Sequence, residues 1–299
     1  MATSLTAAAV KPAGARIFKD IRRSMPTAAW FLCCACIAVV FLYPLFVMLA
    51  QSLKTGEEAA RVPPTLFPES ISTQTYTNLG KNEFGISILQ ALGNSAIVSI
   101  STTVLTVALA TLAGYGFAKL RFRGSNLVFF VMLVAFMVPF QTIITPLYLV
   151  LRDMGLQGSL FGLILVLTTF NLPFAIFLMR NSFASLPDSL EEAAMIDGCG
   201  TLRAMWKVLM PLAIPGAVSA GLLTFFTAWN EFFATLALVT KQQSYTLPIT
   251  LSMLATGQNS SINWGALQAG VALTIIPCLV LYLLLQKYYV NGLLSGAVK

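Results

Sequence analysis

The chain has 299 residues, of which 57% are hydrophobic and only 10% charged. So little charge cannot cover a water-soluble protein of this length, and the mean hydropathy of +0.81 makes a lipid bilayer the solvent for most of it. The net charge of +7 fits Lys and Arg held on the cytoplasmic side of a membrane. No basic stretch is interleaved with a soluble domain, so nucleic acid is excluded as a partner.

Histidine is absent, which removes the commonest general base and the commonest nitrogen ligand for metals. The acids concentrate in loops and no nucleophile–base constellation is visible, so the chain is not read as an enzyme. Cys33, Cys34, Cys36, Cys199 and Cys278 show no disulfide framework, and four of them fall in apolar runs, where cysteine is a small hydrophobe. No metal site and no cofactor is expected on this chain.

In chain order, residues 1–29 form a polar tail and 30–50 the first apolar run. Its leader is long and no small-residue cleavage site follows it, so an uncleaved transmembrane helix is expected. Residues 51–91 are an extracytoplasmic loop. Further apolar runs cover 92–117, 127–147, 160–178, 212–239 and 266–285, each close to the 20 or so residues needed to cross a hydrocarbon core of about 30 Å. The last two segments are a core over 92–287 and a tail over 288–299. The fold class is therefore an all-α membrane protein with about six transmembrane helices.

Thirteen of the 18 basic residues sit in the two tails and in two alternate connections, the latter holding Lys119, Arg121, Arg123, Arg180, Arg203 and Lys207. That bias puts both termini in the cytoplasm. Pro139, Pro146, Pro173 and Pro277 lie inside spans, where a freed carbonyl needs a neighbouring helix or water. Ala110 with Gly114, Gly216 with Ala220, and Ala217 with Gly221 have the small-xxx-small spacing of close helix contacts.

The connection at 187–211 is the most informative. Asp188 and Glu191 form a D-x-x-E pattern suited to a helix start, and Leu190, Ala193 and Ala194 share one face. Gly198 accepts the left-handed conformation that ends a helix. Thr201 is expected to cap a second helix running to Pro211. Two short helices at a glycine hinge would then protrude into the cytoplasm, with Glu191, Glu192 and Asp197 as acidic anchors and small alanines admitting a partner's groove.

Glu192-Ala193-Ala194, Asp197-Gly198 and Pro211, nineteen residues after Glu192, together resemble the EAA loop of binding-protein-dependent ABC permeases. The resemblance runs from about residue 94 to the C terminus. The segments FLMRNSFASLPDSLEEAAMIDG, FTAWNEFF, YTLPI and QKYYVNGLLSGAVK resemble the second, shorter permease subunit of maltose-type carbohydrate importers. Cys199-Gly200 departs from the family, which usually has Ala and a polar residue there. The resemblance implies a permease core at 92–287 of a bacterial inner-membrane importer. It implies that Glu191, Glu192, Ala193, Ala194, Asp197, Gly198 and Pro211 lie in a coupling loop between the fourth and fifth spans. The implied partners are a second permease subunit, a dimer of ATPase subunits that carries ATP and Mg, and an extracytoplasmic sugar-binding protein.

The chain has no G-x-x-x-x-G-K-[ST] phosphate loop, so energy has to come from another chain. A secondary transporter is the competing class, but no inverted repeat is visible and few intramembrane ionisable residues are present. Within the importer class, a non-sugar solute such as glycerol phosphate is the alternative cargo. Glu231 is read as an acid within the fifth span, beside Asn230 and Trp229, which asks for a partner or water. Its two functions in contention are sugar hydrogen bonding, with Trp229 as a stacking face, and a structural gate. Asn171 beside Pro173 and Gln141 beside Pro139 are further candidates for the substrate path.

Overall fold

In a computed structural model, residues 27–80, 87–120, 122–256, 262 and 264–297 are described, and among them every regular element is helical. The chain-order helices are α1 (Thr27–Ser52), α2 (Gly56–Ala59), α3 (Gln74–Asn78), α4 (Ile88–Lys119), α5 (Ser125–Phe136), α6 (Ile144–Asp153) and α7 (Leu160–Ala184). They continue with α8 (Asp188–Ile196), α9 (Thr201–Ala204), α10 (Met210–Trp229), α11 (Phe233–Leu238), α12 (Leu247–Thr256) and α13 (Trp264–Ala297). Five helical stretches are long and apolar enough to cross a membrane, and α5 with the segment 140–153 makes a sixth that is bent by 88°. The fold is an all-α membrane protein of about six spans.

Two expectations are corrected. The run 127–147 is not one straight span: Pro139 opens a 3₁₀ turn at Phe140–Ile143, and the chain turns sharply before α6. Proline has no N–H and disfavours helix in the residue before it, so the ladder breaks there. The run 212–239 is likewise interrupted, since α10 stops at Trp229 and α11 begins at Phe233. At the C-terminal end α13 passes the position 287/288 as continuous helix.

The bundle is built on α4 and α7, which lie parallel in register. Close approach occurs at Gly114, where a Cβ would stand 2.6 Å from Met179 Cβ and 2.8 Å from the Arg180 nitrogen. Only glycine fits that spacing. At the other end Val98 packs among Leu163 and Leu167. Helix α10 runs against both, and Gly216 meets Ser182 so tightly that a Cβ would lie 1.9 Å from its Oγ. The small-residue pairs thus sit where helices touch, as packing without a hydrophobic driving force requires.

The periphery faces lipid. Phe31, Phe41 and Val40 on α1 are exposed, which in water would be a fault and in hydrocarbon is the low-energy arrangement. Beyond α1, the segment 53–69 is organised by a buried pair, Lys54 and Glu58. Lys54 Nζ donates to the Thr65 carbonyl at 2.5 Å and to Thr65 Oγ1 at 2.7 Å, while Glu58 accepts from the Glu69 N–H at 3.0 Å. Buried charges survive where they are paired and hydrogen-bonded, as both are here.

Candidate functional site

The 187–211 loop begins at Pro187, which stands at the N-cap of α8 with φ −57°. Asp188 is therefore the first helical residue and not the cap that the D-x-x-E pattern predicts. It pairs instead with Lys119 Nζ at 2.6 Å, and the same ammonium donates to the Leu186 carbonyl at 2.7 Å. Lys119 is almost fully buried, although Asp188 is exposed.

Glu191 also departs from expectation. It is turned inward and buried, and Tyr115 Oη donates a hydrogen bond to its Oε1. Tyr115 is held in turn by an edge-on contact with Phe183, ring centroids 5.6 Å apart. Ala194, one turn on, is buried on the same inner side. Glu192, Ala193 and Asp197 are exposed, so the two acids of the Glu-Glu pair have opposite environments. Both were read as anchors for a partner, and the helix geometry leaves only Glu192 available.

The end of α8 matches the sequence. Gly198 has φ +82°, its N–H donates to the Met195 carbonyl at 3.0 Å, and the Cys199 N–H reaches back to Ala194 at 2.9 Å. These two bonds are the Schellman closure that a left-handed residue makes possible. A side chain at Gly198 or Gly200 would meet nothing within 4 Å.

The second helix is not a separate element ending at Pro211. Gly200, not Thr201, occupies its N-cap, and α9 runs through a π turn at Met205–Leu209 directly into α10. The wide turn comes just before Pro211, where the i→i−4 ladder must be interrupted for lack of an N–H. Pro211 is exposed in the first turn of α10. Around the hinge, Met195, Ile196, Leu202 and Trp206 are exposed, Ile196 by 87%. The sequence reading passed over these residues; their signal was a set of large apolar side chains inside an otherwise charged loop.

Of the path candidates, Gln141 lies at the first break, Asn230 and Glu231 at the second, Trp229 at the end of α10, and Asn171 inside α7. Phe140, at the bend, packs edge-on to Phe170 at 4.6 Å and to Phe233 at 6.2 Å, bringing the segments that hold Gln141, Asn171 and Glu231 side by side. Thr227 Oγ1 donates to Asn171 Oδ1 at 2.6 Å, and Asn171 Nδ2 donates to the Leu167 carbonyl at 2.8 Å. Asn230 is exposed, with Nδ2 donating to the Phe226 carbonyl at 2.8 Å. Gln141 is exposed in the 3₁₀ turn.

Glu231 is not inside a span. It lies in the gap between α10 and α11, half-buried, and its Oε1 accepts the Ala234 N–H at 2.6 Å. That bond meets one free amide at the start of α11, the role of a helix cap. Trp229 is 2% exposed, stacks on Phe225 at 5.5 Å and donates its indole N–H to the Thr274 carbonyl at 3.1 Å. Those contacts make it a packing residue in this conformation, not an open stacking face.

At the bundle end opposite the 187–211 loop, Asn94 Nδ2 donates to the carbonyls of Gln243 at 2.8 Å and Tyr245 at 2.9 Å, and the Leu247 N–H donates to Ser95 Oγ at 2.8 Å. The YTLPI segment is thereby clamped to the start of α4.

The chain is thus a multi-pass helical bundle with polar residues at broken spans and a glycine-terminated helix at one end. Residues 106–294 match the family described as binding-protein-dependent transport system inner membrane component. The chain belongs to that family and, within it, to the maltose-type carbohydrate ABC permeases. It is 31% identical to the diacetylchitobiose uptake system permease protein DasC of Streptomyces coelicolor, over 93% of this chain and 100% of that one. It is 33% identical to the trehalose transport system permease protein SugB of Mycobacterium tuberculosis, over 89% and 93%. The fold is that of a chain in a bacterial ABC transporter involved in the import of the acidic polysaccharide alginate, with TM-score 0.74, 24% identity and coverage of 94% of this chain and all of the other.

Proposed function

We propose that this chain is one of two permease subunits of an ATP-driven sugar importer, and that α8 couples it to the ATPase. The observation that carries this is the two-sided character of α8. Its inner side is fixed to the bundle through Glu191 and Ala194, while Glu192, Ala193 and Ile196 are presented outward beside a glycine hinge. An exposed helix with small and apolar side chains fits a groove on a partner protein.

The basic-residue bias supports a cytoplasmic α8 and cytoplasmic termini, where an ATPase dimer with its ATP and Mg would reach it. An extracytoplasmic sugar-binding protein would deliver cargo at the opposite end. The family's description as binding-protein-dependent supports that partner, and the names of the relatives support a carbohydrate cargo. The polar group of Gln141, Asn171 and Asn230 supplies hydrogen-bonding capacity for hydroxyls in this chain's half of the path. ATP binding would close the motor and rock the two permeases from outward to inward access.

Purifying the importer through a tag on this chain tests the assignment. Glu192→Lys reverses the outward charge without touching the inner contacts. The expected result is loss of the copurified ATPase, with the second permease retained. Full ATPase retention in Glu192→Lys would remove α8 as the docking element.

A further inference from the structure

Helix α8 is bonded to a span that is remote from it in sequence. Glu191 and Tyr115 are 76 residues apart, and Asp188 and Lys119 are 69 apart. Tyr115 and Lys119 are four apart on α4, and Asp188 and Glu191 three apart on α8, so each pair lies on one face of its helix. The two contacts sit side by side, one turn long. Both α4 partners are buried, Tyr115 at 2% and the Lys119 side chain at 3%, and both contacts are of the stronger, charge-assisted kind: a hydroxyl on a carboxylate at Tyr115–Glu191 and an ammonium on a carboxylate at Lys119–Asp188. Towards α10, in contrast, α8 leads into Gly198 and Gly200, which have open space around them.

The other end of α4 carries the second half of the argument. Asn94 and Ser95 hold the 243–247 segment through three hydrogen bonds. Asn94 and Tyr115 are 21 positions apart in unbroken helix, about 30 Å at 1.5 Å per residue, the thickness of the hydrocarbon core. Unlike α7, α10 and α13, α4 has no proline inside it.

We propose that α4 is the rod that carries movement of α8 to the 243–247 segment on the far side, with Tyr115 and Lys119 as positioning residues that grip the coupling helix. This rests on α8 being the ATPase-docking element. The grip ties α8 to α4 by side-chain contact, in addition to the packing of Leu190 in one cluster with Met205 and Leu209 of the π turn that leads into α10. A path of this kind needs an element biased at both ends, and α4 has a bonded partner at each.

The test uses the assembled importer, purified through a tag on this chain and reconstituted in nanodiscs. Hydrogen exchange over residues 240–247 is compared without nucleotide and after trapping with ATP and vanadate. The wild type is expected to show a trapping-dependent change in exchange rate there. In Tyr115→Phe, which keeps the ring against Phe183, and separately in Lys119→Met, that change is expected to shrink about tenfold, the scale set by one charge-assisted hydrogen bond. Lys119→Arg should restore most of it. Exchange without nucleotide should match wild type in all three, which a merely structural role would not leave unaltered.

An undiminished change in Tyr115→Phe and Lys119→Met, with the ATPase bound, overturns the proposal. So does loss of the ATPase from Tyr115→Phe, since the outward face of α8 is untouched. Failure of the wild-type chain to retain any ATPase would instead overturn the docking assignment.

Discussion

Two interruptions of the helical ladder, at 197–200 and at 230–232, use polar residues in opposite ways. At 197–200 the chain ends α8 with backbone bonds alone, through Gly198 at φ +82°, and leaves Asp197 exposed. At 230–232 the polar side chains turn back on the helices, Asn230 to the Phe226 carbonyl and Glu231 to the Ala234 N–H. The first is a glycine turn with an exposed acid beside it. The second sits among the aromatic rings of Phe140 and Phe233, where an unmet backbone group would cost several kcal/mol. One interruption is thus closed by backbone bonds alone, and the other by side chains that bond to the ends of the helices they join.

Substitutions at the two places should separate these roles. The largest effect is expected at Gly198. Proline cannot adopt its positive φ and removes the N–H donated to Met195, so Gly198→Pro should abolish uptake while the chain remains in the membrane, measured by transport and by membrane content. Gly198→Ala is milder, because the left-handed conformation costs a residue with a Cβ about 1–2 kcal/mol; partial uptake is expected. Normal uptake in the proline variant would erase the distinction between the two interruptions. The smallest effect is expected at Glu231. Glu231→Ala removes a cap worth about 1 kcal/mol and should lower the thermal midpoint of the purified complex without releasing the ATPase, whereas Glu231→Gln keeps an acceptor and should stay near wild type. Release of the ATPase by Glu231→Ala would mean that the inner break also serves docking.

Hydropathy made the bundle legible, because the solvent of each span is written in its composition. The 187–211 loop was legible because its residues are close in sequence and its glycine has one physical use. What escaped were features made by residues far apart or averaged within a window. The bend at Pro139 and the gap after Trp229 are surrounded by Met, Val and Phe, so a run of high hydropathy hid them and put Glu231 inside a span. The orientation of Glu191 could not be read at all: it and Glu192 are adjacent identical residues, and only Tyr115, 76 positions away, decides which one is buried. Lys119 was counted as one more positive charge on the cytoplasmic side, when its position one turn beyond Tyr115 is what secures α8.

The most direct measurement places a photocrosslinking amino acid, one position at a time, along α8 in the assembled importer. Substitution at Ala193 and Ile196, which face outward, should capture the ATPase, and substitution at the buried Ala194 should not. Capture of the ATPase from some other cytoplasmic loop, with none from Ala193 or Ile196, would contradict the account.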